Sequence, residues 1–432
     1  SPLIMTLGSA RVIAGIHGAG DGQNTVSCVM ITSKEINKLL LCFDRQIQGG
    51  TIFLDEPSAP KTLLSVHSKS PLRFVPQGCA TVYGSLAGFR PQMKSKVQPT
   101  FIQEEMKRGG YPVKFGAPDM TWKPWNHAVN DMTAPNNIAL QQDITKCGDA
   151  FFDDIVNGVG DQLHMLKKYD VETALNGAEG VTYVDRINTR TSAGHPFQRP
   201  KNEFLTFDEL NKIVELDDKI KVRMDKINAA YVKGERFNPI FAGSLKDDPV
   251  KFKKIKEGKT RVFTGSEFAW SIVVRQHFLS FIRLMQNNPF VFESMPGLVA
   301  QSIQWQNLHD FLIAFAKKRM VAGDYKTFDK KMMALWIEEA FRIIIRLYRK
   351  AGADEADILA MQAIAKDVCF PIINLNGDVI GVQGNPSGHP LTVIINCIVN
   401  CLYIRYAFMK KANKPLKDFQ KYVHLATYGD DN

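Results

Sequence analysis

The sequence of 432 residues has few cysteines, and their spacing does not suggest a shared site. The seven cysteines contain no Cys-x-x-Cys pair, which argues against a zinc ribbon, and an odd number cannot all pair within one chain. Two nucleotide-binding signatures are also missing. Lys253 stands where a Walker A loop needs its first glycine, and Gln23 stands at the third glycine of a dinucleotide fingerprint. We therefore expect reduced thiols and a cytosol-like compartment.

A long uninterrupted apolar run is absent too. The most apolar stretch, residues 391–408, contains Asn396, Asn400 and Arg405, so we expect no transmembrane segment. With 45% hydrophobic and 23% charged residues, the chain has the composition of an ordinary folded protein. Its 54 lysines and arginines exceed its 44 aspartates and glutamates, which gives a net charge of +10. The meaning of that excess depends on where it is concentrated.

Local patterns predict several elements. Apolar residues recur with helical spacing over residues 205–233, 270–286 and 331–350. Two β-like segments flank the glycines at residues 18–22 and predict a hairpin. Residues 51–180 are rich in proline and aromatic residues, and we expect loops and short strands there rather than long helices.

Carboxylates follow two short apolar segments that are typical of strands. Residues 319–323 lead to Asp324, with Asp329 five residues further on, and residues 422–426 lead to the turn Tyr428-Gly429-Asp430-Asp431. Either motif alone is more readily explained by helix caps and turns. If the two strands lie side by side, however, Asp324, Asp430 and Asp431 come together. Such oxygen ligands suit a pair of Mg²⁺ or Mn²⁺ ions that serve nucleotidyl transfer.

Positive charge is concentrated between Lys246 and Arg261, a segment that contains seven lysines and arginines but only three acidic residues. This segment is either a solvated face or a finger that binds phosphates. A second polar feature is Gln-Gly-Asn-Pro-Ser-Gly-His-Pro at residues 383–390, here named the Ser-Gly loop, which precedes a helix. Thr392, Asn396 and Asn400 then lie on one side of that helix, as part of a core network or as the wall of a polar site.

The order of these features resembles the RNA-dependent RNA polymerases of picorna-like positive-strand RNA viruses, and residues 384–396 are most similar to the marine, algal-virus branch. The resemblance covers residues 49–432. It implies an α+β right-hand polymerase with fingers and a partial palm, truncated after Gly-Asp-Asp and lacking the thumb, so we expect this fragment by itself to be inactive. It also implies template-directed RNA synthesis with Mg²⁺, or Mn²⁺, as cofactor. The implied partners are an RNA template and primer, ribonucleoside triphosphates and other viral replication proteins, in host cytoplasm at membrane-associated replication complexes.

The resemblance assigns roles to individual residues. Asp324 and Asp430 would hold the metal ions, with Asp431 as an auxiliary ligand. The residues that would sense the ribose 2′-hydroxyl are Asp329, Ser387, Thr392 and Asn396. Those that would neutralise the triphosphate are Lys246, Lys254 and Arg261, although Val250 stands where relatives often carry a further cation. Residues 191–196, named the template loop and beginning with Thr191 and Ser192, are similar to the family's loop that guides the template.

Residues 1–48 resemble the end of a chymotrypsin-like viral cysteine protease, with His17 in the segment that lines the substrate pocket. The nucleophilic cysteine would lie ahead of residue 1, so we expect no protease activity. Because the family cuts after glutamine, Gln48-Gly49 is the candidate junction.

Other interpretations stay open at this point. The chain could be a non-catalytic RNA-binding module whose aspartates are only caps and turns, or an inactive fragment of a polyprotein. A reverse transcriptase is disfavoured, because a palm that makes DNA needs a bulky residue where Asn396 faces Asp329.

Overall fold

The computed structural model divides the chain into two compact units, residues 1–61 and 62–432. It describes the backbone of residues 2–7, 10–20, 26–29 and 63–64, and both backbone and side chains of residues 70, 80–86, 94–134, 139–412 and 414–432. The side chain of His17 and the candidate junction Gln48-Gly49 lie outside the described residues. The predicted domain boundary after residue 48 therefore stays a prediction.

The first unit contains three antiparallel strands in the order β1-β2-β3: β1 Pro2–Leu7, β2 Ala10–Gly20 and β3 Val26–Val29. Strand β2 pairs with β3, so the hairpin predicted around residues 18–22 is confirmed.

The second unit is built on a six-stranded sheet in the order β11-β9-β12-β13-β5-β4. Strands β9 and β12 run parallel, and the other neighbours are antiparallel. Two ribbons, β6-β10 and β7-β8, lie outside this sheet. The strands are β4 Leu63–Leu64, β5 Thr81–Leu86, β6 Phe115–Gly116, β7 Leu205–Phe207, β8 Ile213–Leu216, β9 Ile240–Leu245, β10 Val250–Lys251, β11 Val262–Gly265, β12 Ile372–Leu375 and β13 Asp378–Gly381.

Helices supply most of the core of this unit. They are α1 Gln103–Arg108, α2 Trp122–Thr133, α3 Gln141–Val159, α4 Val171–Asn176, α5 Asp218–Tyr231, α6 Phe252–Lys256, α7 Phe268–Asn287, α8 Ile303–Ile313, α9 Phe328–Lys331, α10 Ala334–Lys350, α11 Glu355–Cys369, α12 Thr392–Lys411 and α13 Phe419–Tyr422. Short 3₁₀ turns occur at Gly160–Met165, Lys201–Phe204 and Leu416–Asp418. Helix α10 packs against α3, α11 and α12, with Ile337, Phe341 and Ile344 in the core.

The helices predicted over residues 270–286 and 331–350 are confirmed by α7 and α10. The helix predicted over residues 205–233 is wrong in its first half, which forms the β7-β8 hairpin. Asp208 and Lys212 close its turn, and Asn211 takes a left-handed conformation there with φ of 63°. Ile213 and Leu216 are buried, and their spacing of three residues imitates a helix.

Residues 122–159 contain two helices, α2 and α3, where loops and short strands were expected. Helix α3 buries Ile144, Cys147, Phe151 and Ile155, which are spaced three or four residues apart. The acidic and polar residues between them hide this period in the sequence.

Two remaining expectations concern the core. The four cysteines whose side chains are described, Cys147, Cys369, Cys397 and Cys401, are buried free thiols, as predicted. Helix α12 is long and apolar enough to cross a membrane by length and composition, and more than half of it is buried inside the protein. Since core helices pass the same test, the absence of a transmembrane segment stays a prediction.

Candidate active site

The two aspartate motifs meet at the backbone. Asp324 and Asp431 form an antiparallel bridge. Beside it, the Gly323 amide donates to the Asn432 carbonyl at 2.7 Å, and the Asn432 amide donates to the Gly323 carbonyl at 3.0 Å. The predicted strands over residues 319–323 and 422–426 are not continuous strands, because pairing is limited to isolated bridges. The juxtaposition that the sequence predicted is nevertheless present.

Asp430 and Asp431 lie on a tight turn, residues 428–431, named the acidic turn. Tyr428 and Asp431 exchange backbone hydrogen bonds at 3.0 and 3.2 Å, and Gly429 has a φ of 65°, which favours glycine. Asp324 and Asp431 are exposed, and Asp430 is half-buried. None of these three carboxylates forms a hydrogen bond or an ion pair with the described residues, so their negative charge is not neutralised within this part of the chain.

This donor set fits a hard divalent cation, which prefers carboxylate oxygens and is attracted by uncompensated negative charge. Among the described residues, however, no three His, Cys, Asp or Glu side chains converge into a metal-binding group. The backbone bridge thus aligns Asp324 with the acidic turn but does not by itself assemble a complete set of ligands.

Asp329 lies close enough to the acidic turn to interact with the charge of Asp430. Burial, together with the negative charge of Asp430, raises the pKa of the Asp329 carboxyl, and Lys330 opposes this shift. The residue is not a helix cap: it lies inside α9, whose N-cap is Thr327 with φ of 55°. The cap interpretation of Asp329 is therefore wrong.

Asn400 on α12 supports the acidic turn, a role that the sequence did not reveal. Its Nδ2 donates to the carbonyls of Gly429 and Asp431, both at 3.1 Å, and its Oδ1 accepts from Asn432 Nδ2 at 3.0 Å. The Asn400 side chain is fully buried. Nearby, the Gly429 amide donates to Cys397 Sγ at 3.2 Å. Helix α12 therefore fixes the position of the acidic turn relative to Asp324.

A buried ion pair supports the segment before this turn. Arg405 of α12 lies between the rings of Phe151 and Phe419 and donates to Glu293 at 2.6 and 2.9 Å. The Glu293 carbonyl in turn accepts from the Thr427 amide at 2.9 Å. Because Thr427 precedes the acidic turn directly, the same helix positions the turn on both of its sides.

The Ser-Gly loop is seated on the end of strand β11. The Ser387 amide donates to Thr264 Oγ1 at 2.9 Å, and the Thr264 amide donates to Ser387 Oγ at 3.0 Å. Gly388 forms a parallel bridge with Gly265. Thr392 is engaged inside the loop, where its hydroxyl donates to the Pro386 carbonyl at 2.8 Å. That contact gives Thr392 a part in shaping the loop.

Two concave surfaces lie near strand β11. The first includes Asp329, Thr264 and Ser387 in its lining. The second, named the basic surface, is lined by the cations Lys246, Lys251, Lys254, Lys259 and Arg261, the last of which directly precedes β11. Lys246 forms an ion pair with Asp248 at 2.7 Å there. The structure thus brings together the three residues predicted to bind phosphate. Arg261 directly precedes strand β11, and Thr264 of the same strand contacts Ser387.

The template loop packs against the segment that connects strand β11 to helix α7. The Ala193 carbonyl accepts from the Phe268 amide at 2.8 Å, and Gly194, with φ of 71°, lies against the Ser266 carbonyl. Thr191 and Ser192 are exposed on its surface. The Thr191 hydroxyl accepts from Lys201 Nζ at 2.8 Å.

Lys201 is a residue that the sequence did not single out. Burial and the neighbouring Arg275 lower the pKa of its ammonium group to about 8. Its only signal in the sequence is its position five residues after the template loop, which does not predict burial.

The site combines an acidic turn beside a second aspartate, a Ser-Gly loop that lines a cleft with Asp329, and a basic surface near the start of strand β11. This is the arrangement of a right-hand nucleic-acid polymerase. The chain belongs to the viral RNA-dependent RNA polymerase family, whose model matches residues 99–432. The family expected from the sequence is therefore confirmed, whereas the marine branch and the protease remnant stay predictions.

Individual relatives agree with this assignment. The chain is 29% identical over 283 residues to the RNA1 polyprotein of Cowpea mosaic virus, covering 61% of this chain and 15% of that protein. It is 30% identical over 277 residues to the genome polyprotein of Deformed wing virus, covering 60% of this chain and 10% of that protein. The chain thus spans less than a fifth of the length of these relatives.

A solved structure supports the fold. The Sicinivirus 3Dpol RNA dependent RNA polymerase matches with a TM-score of 0.65 over 81% of this chain and 70% of that chain, at 15% sequence identity. The right-hand polymerase fold expected from the sequence is therefore confirmed.

Proposed function

We propose that this chain forms the fingers and palm of a polymerase that copies an RNA template into RNA during replication of a viral genome. The observation that carries the proposal is the backbone bridge between Asp324 and Asp431, which aligns Asp324 with the acidic turn. The carboxylates of Asp324, Asp430 and Asp431 have no hydrogen-bond or ion-pair partner among the described residues. The family match and the polymerase fold support it.

The basic surface would receive the triphosphate of the incoming ribonucleotide. Lys246, Lys254 and Arg261 share one concave surface, where several cations can contact phosphate oxygens together. Strand β11 leads from Arg261 to the Ser-Gly loop, so the ribose of the same nucleotide would lie near Ser387 and Asp329. The exposed Thr191 and Ser192 would guide the template, whose sequence is read by base pairing.

Asp324 and Asp430 would hold Mg²⁺, or Mn²⁺, with Asp431 as an auxiliary ligand. When bound, such ions ease deprotonation of the primer 3′-hydroxyl and stabilise the departing pyrophosphate. The residues of the chain position the reacting groups. Asn400 and the Gly323–Asn432 pair fix the position of the carboxylates, and the basic surface would orient the phosphates of the nucleotide.

We further propose that the enzyme works in the cytoplasm of the host, with other viral replication proteins, at membrane-associated replication complexes. The support is that the relatives described above are viral polyproteins.

The test is primer extension by the full-length polymerase that contains this chain. Asp430→Asn keeps the shape of the side chain and removes its charge, and we expect incorporation to fall about a thousandfold or more. RNA affinity, measured by fluorescence anisotropy, should stay within about threefold, because the phosphate contacts lie on other elements. The matched control is Asp225→Asn on the exposed face of α5, which should leave both readouts unchanged. An Asp430→Asn variant with normal incorporation would refute the proposal in favour of an RNA-binding module.

A further inference from the structure

A buried histidine in the Ser-Gly loop has a defined tautomer. The Leu391 amide, which can only donate, points at His389 Nδ1 at 3.2 Å, so this nitrogen carries the lone pair. The proton is therefore on Nε2, which lies 2.8 Å from Asn385 Oδ1. Burial lowers the pKa of His389 to about 3, and the ring lies edge-on to Phe241 and Trp270. The imidazole is thus neutral and locked in place at any working pH.

This tautomer orients the amide of Asn385. Because His389 donates, the Asn385 atom that faces it is the carbonyl oxygen, and the Nδ2 atom is turned the other way. Nδ2 then donates to Asn396 Oδ1 at 2.7 Å and to the Thr392 carbonyl at 3.1 Å. The backbone amide of Asn385 also donates to the Asp329 carbonyl at 2.9 Å. Asn385 therefore connects the histidine, helix α12 and the segment that carries Asp329.

The orientation of the Asn385 amide determines the orientation of the Asn396 amide. Its Oδ1 accepts from Asn385, so its Nδ2 faces away from the loop with two N–H groups. The residue is half-buried, and this Nδ2 has no hydrogen-bond partner in the part of the chain that the structure describes. This free donor belongs to a residue that the family resemblance assigns to the ribose, and its hydrogen-bond partner Asn385 lines the same concave surface as Asp329 and Ser387.

We infer that His389 and Asn385 are positioning residues for ribose selection: they hold the Asn396 amide so that it donates to the 2′-hydroxyl oxygen of the incoming nucleotide. This inference rests on the proposed function. A site that orients a hydrogen-bond donor in advance discriminates against a sugar that lacks the acceptor. Without His389 and Asn385, the Asn396 amide can rotate by half a turn and present its oxygen to the ribose in place of its nitrogen.

The experiment measures how much the full-length polymerase prefers a ribonucleotide to its 2′-deoxy counterpart. In Asn385→Asp, one carboxylate oxygen accepts from His389 and the other opposes Asn396 Oδ1, so the Asn396 amide turns over. We expect the ribose preference to fall about tenfold, the scale of one hydrogen bond. A 2′-fluoro nucleotide, which can accept but cannot donate, should lose its advantage over the 2′-deoxy nucleotide in the same variant.

The double-mutant cycle with Asn396→Ala separates positioning from a general structural role. In that background Asn385→Asp should cause no further loss of ribose preference. His389→Phe, which keeps an aromatic ring against Phe241 and Trp270, should behave like Asn385→Asp and replaces it if Asn385→Asp does not fold. The matched control is His277→Phe, at a buried histidine of α7 outside the loop, and it should keep the ribose preference of the parent.

Two results would overturn the inference. The first is an equal loss of ribose preference from Asn385→Asp in the parent and in the Asn396→Ala background. The second is an unchanged ribose preference in both Asn385→Asp and His389→Phe. Either result would leave RNA synthesis in place. A parent polymerase that makes no RNA would overturn the proposed function, and this inference with it.

Discussion

Replacing Asn400 tests whether helix α12 sets the position of the acidic turn. Asn400→Leu has nearly the same shape and removes all three hydrogen bonds to Gly429, Asp431 and Asn432. A lost hydrogen bond costs about 1 kcal/mol, and water can replace the partner of the exposed Asp431, so we expect about 2 kcal/mol less free energy of unfolding.

The larger effect is expected on catalysis. A displacement of about 1 Å in a reacting group can lower the rate about a hundredfold, so kcat for nucleotide incorporation should fall by about that factor. The KM for the nucleotide should change less than about threefold, because the cations of the basic surface lie between Lys246 and Arg261, on elements that do not contact Asn400. Primer extension over a range of nucleotide concentrations separates the two constants.

Two companion variants make this prediction specific. Asn400→Asp keeps the shape but sets an acceptor against the carbonyls of Gly429 and Asp431, and it should be at least as harmful as Asn400→Leu. Cys397→Ala removes two weak sulfur contacts, the acceptor of the Gly429 amide at 3.2 Å and the donor to the Thr427 carbonyl at 3.9 Å, and should lower kcat less than about tenfold. An Asn400→Asp enzyme with the parental kcat would refute the reasoning.

Three further predictions concern stability and the loop. Gly388→Ala would place a Cβ 2.5 Å from the Thr264 carbonyl and should lower both Tm and incorporation, whereas Gly265→Ala, whose nearest neighbour is 3.8 Å away, should be tolerated in thermal melts. Arg405→Met leaves Glu293 buried without its cation and should lower the unfolding free energy by about 3–5 kcal/mol in urea titrations. Because the pKa of His389 is about 3 in the folded chain and near 6.5 when unfolded, the unfolded state binds the proton first as pH falls. The contribution of His389 to stability should therefore fall by about 1.4 kcal/mol per pH unit between pH 6.5 and 3, so His389→Phe should lose stability less steeply on acidification; parallel curves for the two proteins would contradict this.

The parts of the site that follow from local pattern were predictable from the sequence. The basic segment, the Ser-Gly loop and the two aspartate motifs are contiguous, and their order indicated the family before any coordinate was known. The meeting of Asp324 with the acidic turn was also predicted, although from two continuous strands that the structure replaces with a short bridge. The motif order was the stronger guide, since it does not depend on how far each strand extends.

Contacts between distant residues were not predictable. Arg405 interrupts an apolar run in the sequence, and nothing near it shows that its partner is Glu293, 112 residues earlier. Asn400 was recognised as one of three polar residues on a helix, but its partners are 29 and 31 residues later. Side-chain identity shows that a buried polar group needs a partner, and only the fold shows which partner it has.

The attachment of the acidic turn to α12 also bears on how the chain assembles. Bringing Asp324 to Asp431 directly would close a loop of about 107 residues, at an entropic cost near 4 kcal/mol, whereas joining Asn400 to Asp431 closes about 31 residues for roughly 3 kcal/mol. The shorter closure is the cheaper first step. On this estimate, attachment of the acidic turn to α12 before the segment around Gly323 pairs with it is the less costly order of assembly.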